Sequence, residues 1–221
     1  MTKVVLIRHG RSTANAAGVL AGRAPGVRLD DIGRAQAEAL RQTLRGVPVA
    51  GAYTSPIERC VETATLAGFP DAEALDGISE CDYGEWTGAK LDDLSSREVW
   101  ADVQARPSVV AFPGGESMQA MFRRTTEAVA QLAARHGKGE VVVVFSHGDP
   151  IKAILAHAFG MGLDDFQRLH VHPAGLSVVD YQGERPLVLC VNSGGDLAQL
   201  IGAHTAPTIG GGDVAGVGSQ P

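Results

Sequence analysis

Glu140-Val141-Val142-Val143-Val144-Phe145-Ser146-His147-Gly148 decides the fold. An unbroken apolar, β-branched run of this kind marks a strand buried on both faces, as in the middle of a parallel sheet. Lys3-Val4-Val5-Leu6-Ile7-Arg8-His9-Gly10 repeats the pattern at the other end of the chain. Both runs stop at a His-Gly turn. In open α/β sheets ligands gather at the carboxyl ends of strands, so the two histidines can share one pocket despite their separation in sequence. Either His-Gly alone is more simply an ordinary polar turn; the matched placement shifts the balance.

Outward from these runs the chain alternates strand and helix. Asp30 or Asp31 caps a helix reaching Arg45, with Ile32, Ala35, Ala39, Leu40 and Leu44 near one face and Gly46 closing it. Val49–Thr54 is a second short strand, and Ser55-Pro56 reads as an N-cap and N1 proline opening a helix through Ala67. Residues 69–116 are less periodic and rich in Gly and Pro, which predicts short helices and loops inserted on the sheet framework. From Ser117 to His136 the helical period returns in Met118, Met121, Phe122, Thr125, Val129 and Leu132. Ile151–Phe159 continues as helix after His147-Gly148-Asp149-Pro150. Leu176–Tyr181 and Leu187–Asn192 form a terminal hairpin through Gln182-Gly183-Glu184. The expected architecture is α/β: a three-layer α/β/α domain over residues 1–203, with a mainly parallel sheet. A flexible Gly-rich tail follows from 204 to 221.

Composition sets the outer bounds. The 221 residues are 44% hydrophobic and 20% charged, which excludes general disorder. Lys and Arg total 19 against 25 Asp and Glu, a net charge of −6 that argues against nonspecific nucleic-acid binding. Three scattered cysteines, Cys60, Cys81 and Cys190, give neither a disulfide framework nor a metal knuckle. No apolar run approaches the roughly 20 residues of a membrane span, and Val4–Ile7 is too short for a signal-peptide core. A soluble cytoplasmic protein follows, with no nucleic-acid or membrane partner, and a homodimer is compatible with the sequence.

Arg59 adds a third element, one turn into the helix after Ser55-Pro56, where the helix dipole favours anions. A solvent-facing or charge-paired arginine is the commoner fate there. Two arginines, two histidines and a helix N-terminus together suit a phosphate better than a metal, because guanidinium presents a planar donor fork and imidazole can attack phosphorus.

Leu6-Ile7-Arg8-His9-Gly10-Arg11-Ser12-Thr13-Ala14-Asn15 resembles the signature of the histidine phosphatase superfamily, in its metal-independent, phosphoglycerate-mutase-like branch. Ser55-Pro56-Ile57-Glu58-Arg59-Cys60-Val61-Glu62-Thr63-Ala64 is similar to the second family motif, and Ser79-Glu80-Cys81-Asp82-Tyr83-Gly84-Glu85-Trp86-Thr87-Gly88 to the acidic one. Phe112-Pro113-Gly114-Gly115-Glu116-Ser117 and Ser146-His147-Gly148 complete the order, and the resemblance runs from Val4 to Asn192. Within the branch it is most similar to proteins described as phosphomutases or phosphatases.

The resemblance implies covalent phosphoryl transfer on a small phosphorylated metabolite, without cofactor or metal. His9 would attack phosphorus; Arg8, Arg59 and His147 would hold the nonbridging oxygens; Glu80 would act as acid and then base. Asn15 and Gly148 would add substrate contacts. Glu80 is favoured over Asp82 and Glu85 because it matches the family acid preceding an aromatic-Gly pair. Arg11 departs from the acidic or amide residue usual after the signature; it adds charge near the mouth or pairs with a nearby carboxylate. Arg23 meets a substrate tail or is simply solvated. His170-Val171-His172 is a weak zinc signal without a third ligand, and Asp149 beside Pro150 suits helix initiation. Leu91–Phe112 offers only the separated Arg97 and Arg106, unlike the adjacent pair with which the family mutases clamp a second anionic group; Arg123-Arg124 comes later, in a helix. Phosphatase is therefore the first choice and mutase the second, ahead of a noncatalytic phosphate-binding module and a metal hydrolase.

Overall fold

A computed structural model describes residues 2–181 and 185–194, with Thr208–Ile209 and Gly212–Asp213 beyond them. The main sheet is built from Lys3–Arg8 (β1), Val49–Thr54 (β2), Glu73–Ala74 (β3), Val141–Ser146 (β4), Leu176–Asp180 (β5) and Leu187–Ser193 (β6). They lie in the order β3-β2-β4-β1-β5-β6. Pairing is parallel from β3 to β1 and antiparallel through β5 and β6. The two apolar runs are thus the central neighbours. β1 and β4 pair in register from Lys3↔Val141 to Arg8↔Ser146, which brings both His-Gly turns to the same edge.

Helices cover both faces. Thr13–Ala16 (α1), Asp31–Thr43 (α2) and Glu58–Leu66 (α3) precede the inserted segment, which carries Leu91–Ser95 (α4) and Trp100–Ala105 (α5); Met118–Arg135 (α6) and Gly148–Ala158 (α7) follow. Val5, Ile7, Val143 and Phe145 pack with Leu40 and Leu44 of the α2 segment and Ala64 of α3. Val4, Leu6, Val142 and Val144 pack with Val129 and Leu132 of α6 and Ile151 and Leu155 of α7. Each fully buried Val, Leu or Ile contributes about 1.5–3 kcal/mol, so this strand pair is the chief source of core stability. The inserted segment builds a third cluster of its own, with Tyr83, Trp86, Leu91, Leu94, Trp100 and Phe112 seated on Met118 and Met121 of α6.

Two expectations need correction. On α2 the buried residues are Gly33, Ala37 and Leu40, while Ile32 is 50% exposed and Ala35 and Ala39 face solvent. The cause is a backbone-to-backbone approach that apolar periodicity does not report. A Cβ on Gly33 would stand 1.9 Å from the Arg11 carbonyl oxygen, and one on Gly10 2.4 Å from that of Gly33. The helix turns its glycine toward the Arg8-His9-Gly10 turn and its larger residues follow. Ser55, secondly, is not the N-cap of α3; the helix starts at Glu58 with Ile57 at the cap and no side-chain cap bond. β5 and β6 pair as the expected terminal hairpin, whose Gln182–Glu184 connection lies outside the described residues. So does the expected flexible tail from 204, apart from Thr208–Ile209 and Gly212–Asp213, which pair antiparallel. No helix among the described residues is long and apolar enough to cross a membrane.

Denaturant unfolding tests the observed face of α2. Gly33→Ala should destabilise by about 1–3 kcal/mol or more, the range for forced overpacking, and Leu40→Ala by about 2–5 kcal/mol. Ile32→Ala should stay within about 0.5 kcal/mol, as at an exposed site; a large loss there would restore the face expected from periodicity.

Candidate active site

The β1–β4 register places His9 beside His147, with ring centroids 5.2 Å apart. His9 is 2% exposed. Its Nδ1 lies 2.7 Å from the Gly10 carbonyl oxygen and its Nε2 receives Arg59 Nε at 3.1 Å. Only the tautomer with hydrogen on Nδ1 satisfies both bonds, so Nε2 carries the lone pair. Arg59 reaches across from α3. Its Nη2 donates to the Gly22 carbonyl at 2.8 Å and to His147 Nδ1 at 3.0 Å. His147 then donates from Nε2 to Ser55 Oγ at 2.8 Å, the actual employment of a serine that sequence assigns to capping. Arg59 Nη1 is buried with no hydrogen-bond partner among the described residues.

Arg8 follows the same strand end and is buried, donating from Nη1 to the Val171 carbonyl at 2.7 Å. Asn15 Oδ1 accepts from Ser12 N and Oγ in the capping box of α1. Arg8 and Asn15 together line a cavity of about 450 Å³, with Gly18, Lys90 and His170 on its other sides. The Gly10 amide donates to Thr63 Oγ1, whose hydroxyl donates to the Arg59 carbonyl, tying the β1 turn to α3.

Glu80 is buried at the same edge and accepts from the Cys81 amide at 2.9 Å. Burial, then the Asp149 carboxylate, push its pKa up to about 7, against the pull of Arg59. Burial also drives His9 and His147 well below the ordinary imidazole value, and Arg59 lowers both further. The arrangement is therefore a neutral imidazole whose Nε2 lone pair is held by Arg59, a carboxyl that holds its proton near neutrality, and a donor-rich buried cation. Opposed shifts of this kind separate a nucleophile from an acid. Cys60, packed against His147, is pushed up to about 12 by burial and stays a thiol.

The structure brings together His9, Arg8, Arg59, Glu80 and His147, with Asn15 on the adjoining cavity and Gly148 as the buried first residue of α7 behind His147. Arg11 lines that cavity but pairs with Asp30 at 2.6 Å, the second of its two expected roles. Arg23 is neither bare nor simply solvated. It donates from Nε to the Glu80 carbonyl at 2.8 Å and from Nη2 to Glu116 at 3.0 Å. Arg124 reinforces the same loop, bonding Glu116 and the carbonyls of Gly77, Ser79 and Glu80. Sequence reasoning missed Gly22, Thr63 and this Glu116–Arg124 clamp; Thr63 and Glu116 fall in quoted motifs, but Gly22 and Arg124 lie outside them. Glu85 is exposed and Asp82 is half-buried and accepts from the Gly84 amide, whereas Glu80 is fully buried within electrostatic reach of Arg59 and Arg8. His170 Nε2 lies 3.3 Å from His172 Nδ1, and no group of three metal-ligating residues forms among the described residues.

The family model of the histidine phosphatase superfamily (branch 1) matches residues 4–194. Phosphoserine phosphatase 1 of Hydrogenobacter thermophilus is 30% identical over 212 residues, covering 93% of this chain and 100% of the relative. A 2,3-bisphosphoglycerate-dependent phosphoglycerate mutase of Thermoplasma acidophilum is 27% identical, covering 86% and 92%. The solved structure of YhfR from Bacillus stearothermophilus superposes with a TM-score of 0.79 at 25% identity, over 86% of this chain and 96% of that one.

The raised acid makes a thermodynamic prediction. Glu80 moves from its ordinary 4.5 to about 7 in the folded state. The native protein then holds a proton that the unfolded chain releases, and stability falls as pH rises through that window. The depressed histidines act in the opposite sense, losing stability as pH falls below 6.5, but they do so equally in a Glu80 variant. Relative to wild type, Glu80→Gln should therefore gain about 3 kcal/mol between roughly pH 4.5 and 8. Denaturant titrations at both ends check it; a constant difference would mean that Glu80 titrates as an ordinary carboxylate.

Proposed function

The chain belongs to the histidine phosphatase superfamily (branch 1) and acts as a phosphomonoester hydrolase; we propose that it cleaves a small phosphorylated metabolite with His9 as nucleophile. The observation that carries the assignment of roles is Arg59, a buried guanidinium spanning both imidazoles with Nη1 unpartnered among the described residues. A phosphoryl group supplies the anion that this cation otherwise lacks. His9 Nε2 attacks phosphorus in line, the ester P–O bond breaks, and the Glu80 proton passes to the departing alkoxide. Arg8 and Arg59 hold the nonbridging oxygens as charge spreads over them, with the Asn15 amide beside them. His147 joins them once the phosphoryl charge draws a proton from solvent to its ring. Glu80, now a carboxylate, takes a proton from water, which attacks the phosphohistidine; the N–P bond breaks and inorganic phosphate leaves.

The tail of the metabolite fits the cavity of about 450 Å³ beside Arg8 and Asn15. The mutase-named relative favours a second reading, isomerisation rather than hydrolysis. The arginines of the inserted segment and Arg124 of α6 weigh against it. Arg97 lies over the Trp86 ring at 5.5 Å, Arg106 pairs with Asp102 at 2.6 Å, and Arg124 is committed to Glu116. None lines the cavity.

Rapid-quench labelling with a phosphorylated substrate should trap acid-labile phosphate on wild type and none on His9→Ala, whose turnover should fall on the order of 10³-fold or more. Arg59→Ala should lose about 10²–10³-fold in kcat. With phosphoglycerate, released phosphate should greatly exceed isomerised product. Labelling retained in His9→Ala would remove the nucleophile assignment, and dominant bisphosphate-dependent isomerisation would put the mutase reading first.

A further inference from the structure

The cavity beside Arg8 and Asn15 carries charges that phosphoryl transfer leaves over. Lys90 and Asp92 reach it from the start of α4, and Arg11 from the turn after β1. Neither Lys90 nor Asp92 has a side-chain hydrogen bond or an ion pair among the described residues. Exposed charges close in sequence elsewhere are spent on each other, as in Arg106 with Asp102 and Arg168 with Asp165. Lys90 and Asp92 stand two positions apart at a helix start, a spacing that does not bring side chains face to face. Their placement is nevertheless fixed. Gly88 N donates to the Leu20 carbonyl, Leu20 N to Ala89 and Leu91 N to Gly18, at 2.8–2.9 Å, with Lys90 opposite Val19 in an antiparallel bridge. This ladder fastens the charged pair to the loop that follows the nucleophile. Arg11 is held as firmly, by Nε on Asp30, whose other oxygen accepts from the Gly33 amide at the cap of α2. The Arg11 Nη atoms make no hydrogen bond among the described residues.

We propose that this cavity takes the tail of a phosphorylated α-amino acid: Lys90 and the Arg11 fork meet its carboxylate, and Asp92 meets its ammonium. The proposal rests on the reading of the chain as a hydrolase whose phosphoryl site is His9 with Arg8 and Arg59. Once those arginines answer the phosphate, the cavity keeps two donor cations and one carboxylate that do not neutralise each other. Charges arranged so favour a ligand that carries both signs. A tail with a carboxylate alone sets like charge before Asp92, and one with an amine alone sets it before Lys90. A neutral polyol desolvates all three groups and pairs none of them. The backbone of Ala16, Ala17 and Gly18 along the wall leaves room for a short tail beside Arg8.

The test is kcat/KM for four alkyl phosphates that differ in tail charge. O-Phosphoserine carries both groups, 3-phosphoglycerate the carboxylate, phosphoethanolamine the ammonium, and glycerol 3-phosphate neither. Each is read as a ratio to glycerol 3-phosphate, so that a general loss of turnover cancels. In wild type the O-phosphoserine ratio should be about 10 or more. Lys90→Gln should lower the O-phosphoserine and 3-phosphoglycerate ratios about 10-fold, chiefly through KM. Asp92→Asn should lower the O-phosphoserine and phosphoethanolamine ratios by a similar factor and raise that of 3-phosphoglycerate. Both residues are exposed, so neither substitution threatens the fold. A wild type that does not prefer O-phosphoserine to glycerol 3-phosphate overturns the proposal, as do ratios that stay unmoved in either variant. Absence of turnover on every ester, p-nitrophenyl phosphate included, overturns the hydrolase reading first, and the tail assignment with it.

Discussion

The interaction on which the rest depends is the fork of Arg59. Its guanidinium is taken out of water with no carboxylate within ion-pair distance among the described residues, a placement that costs several kcal/mol unless other groups answer it. The groups that answer it are a carbonyl and two imidazole nitrogens, none of them charged. Each of those contacts has a chemical consequence. An imidazole that accepts from a guanidinium is not easily protonated on that nitrogen, so the cation that awaits the phosphoryl group keeps His9 neutral and must let go of Nε2 before it can attack. The burden on the fold is that β1, β4, α3 and the loop through Gly22 must all be held in place to satisfy one side chain.

That demand explains which features were legible in sequence. The β1 and β4 runs are read without ambiguity because burial on both faces leaves a continuous apolar signal, and their His-Gly ends follow from strand length alone. The face of α2 was misread because Gly33 makes its contact with backbone, and a residue with no side chain adds nothing to a hydrophobic period. Ser55 was misread for a related reason. Ser-Pro before a helix has a local use that is common, and the use it has here, as acceptor for His147 Nε2, depends on a strand about ninety residues away in the chain. Arg23 likewise looked free because its partners, Glu80 and Glu116, are distant in sequence.

The inserted segment was the least legible part, and its core shows why. Tyr83, Trp86, Trp100 and Phe112 fill it from short helices and turns that are each too brief to establish a period. Tyr83 and Trp86 both meet the edge of Phe112, with centroids 5.0 and 5.2 Å away. Edge-to-face aromatic contacts of this kind add directional packing to area burial. The segment therefore holds the Glu80 loop by tertiary contacts rather than by regular structure, and the Arg23–Glu116–Arg124 bonds to its carbonyls fix the loop without touching the carboxyl itself.

Position and protonation of the acid are thus set by different parts of the molecule. The arginine clamp acts on the Glu80 backbone from the outside, where Glu116 satisfies its charge; burial opposes that carboxylate, but hydrogen bonds from Arg124 and the Asp82 amide outweigh it. Protonation is governed from the inside, by desolvation and by the charges of β1, α3 and α7. The two controls meet at Tyr83, whose ring belongs to the aromatic cluster and whose hydroxyl reaches Asp149. A substitution that loosens the cluster would consequently disturb acid placement from the inside, as one that breaks the outer clamp would from the outside. Activity at this site is tied to core packing through that residue, although no part of the Tyr83 ring approaches solvent.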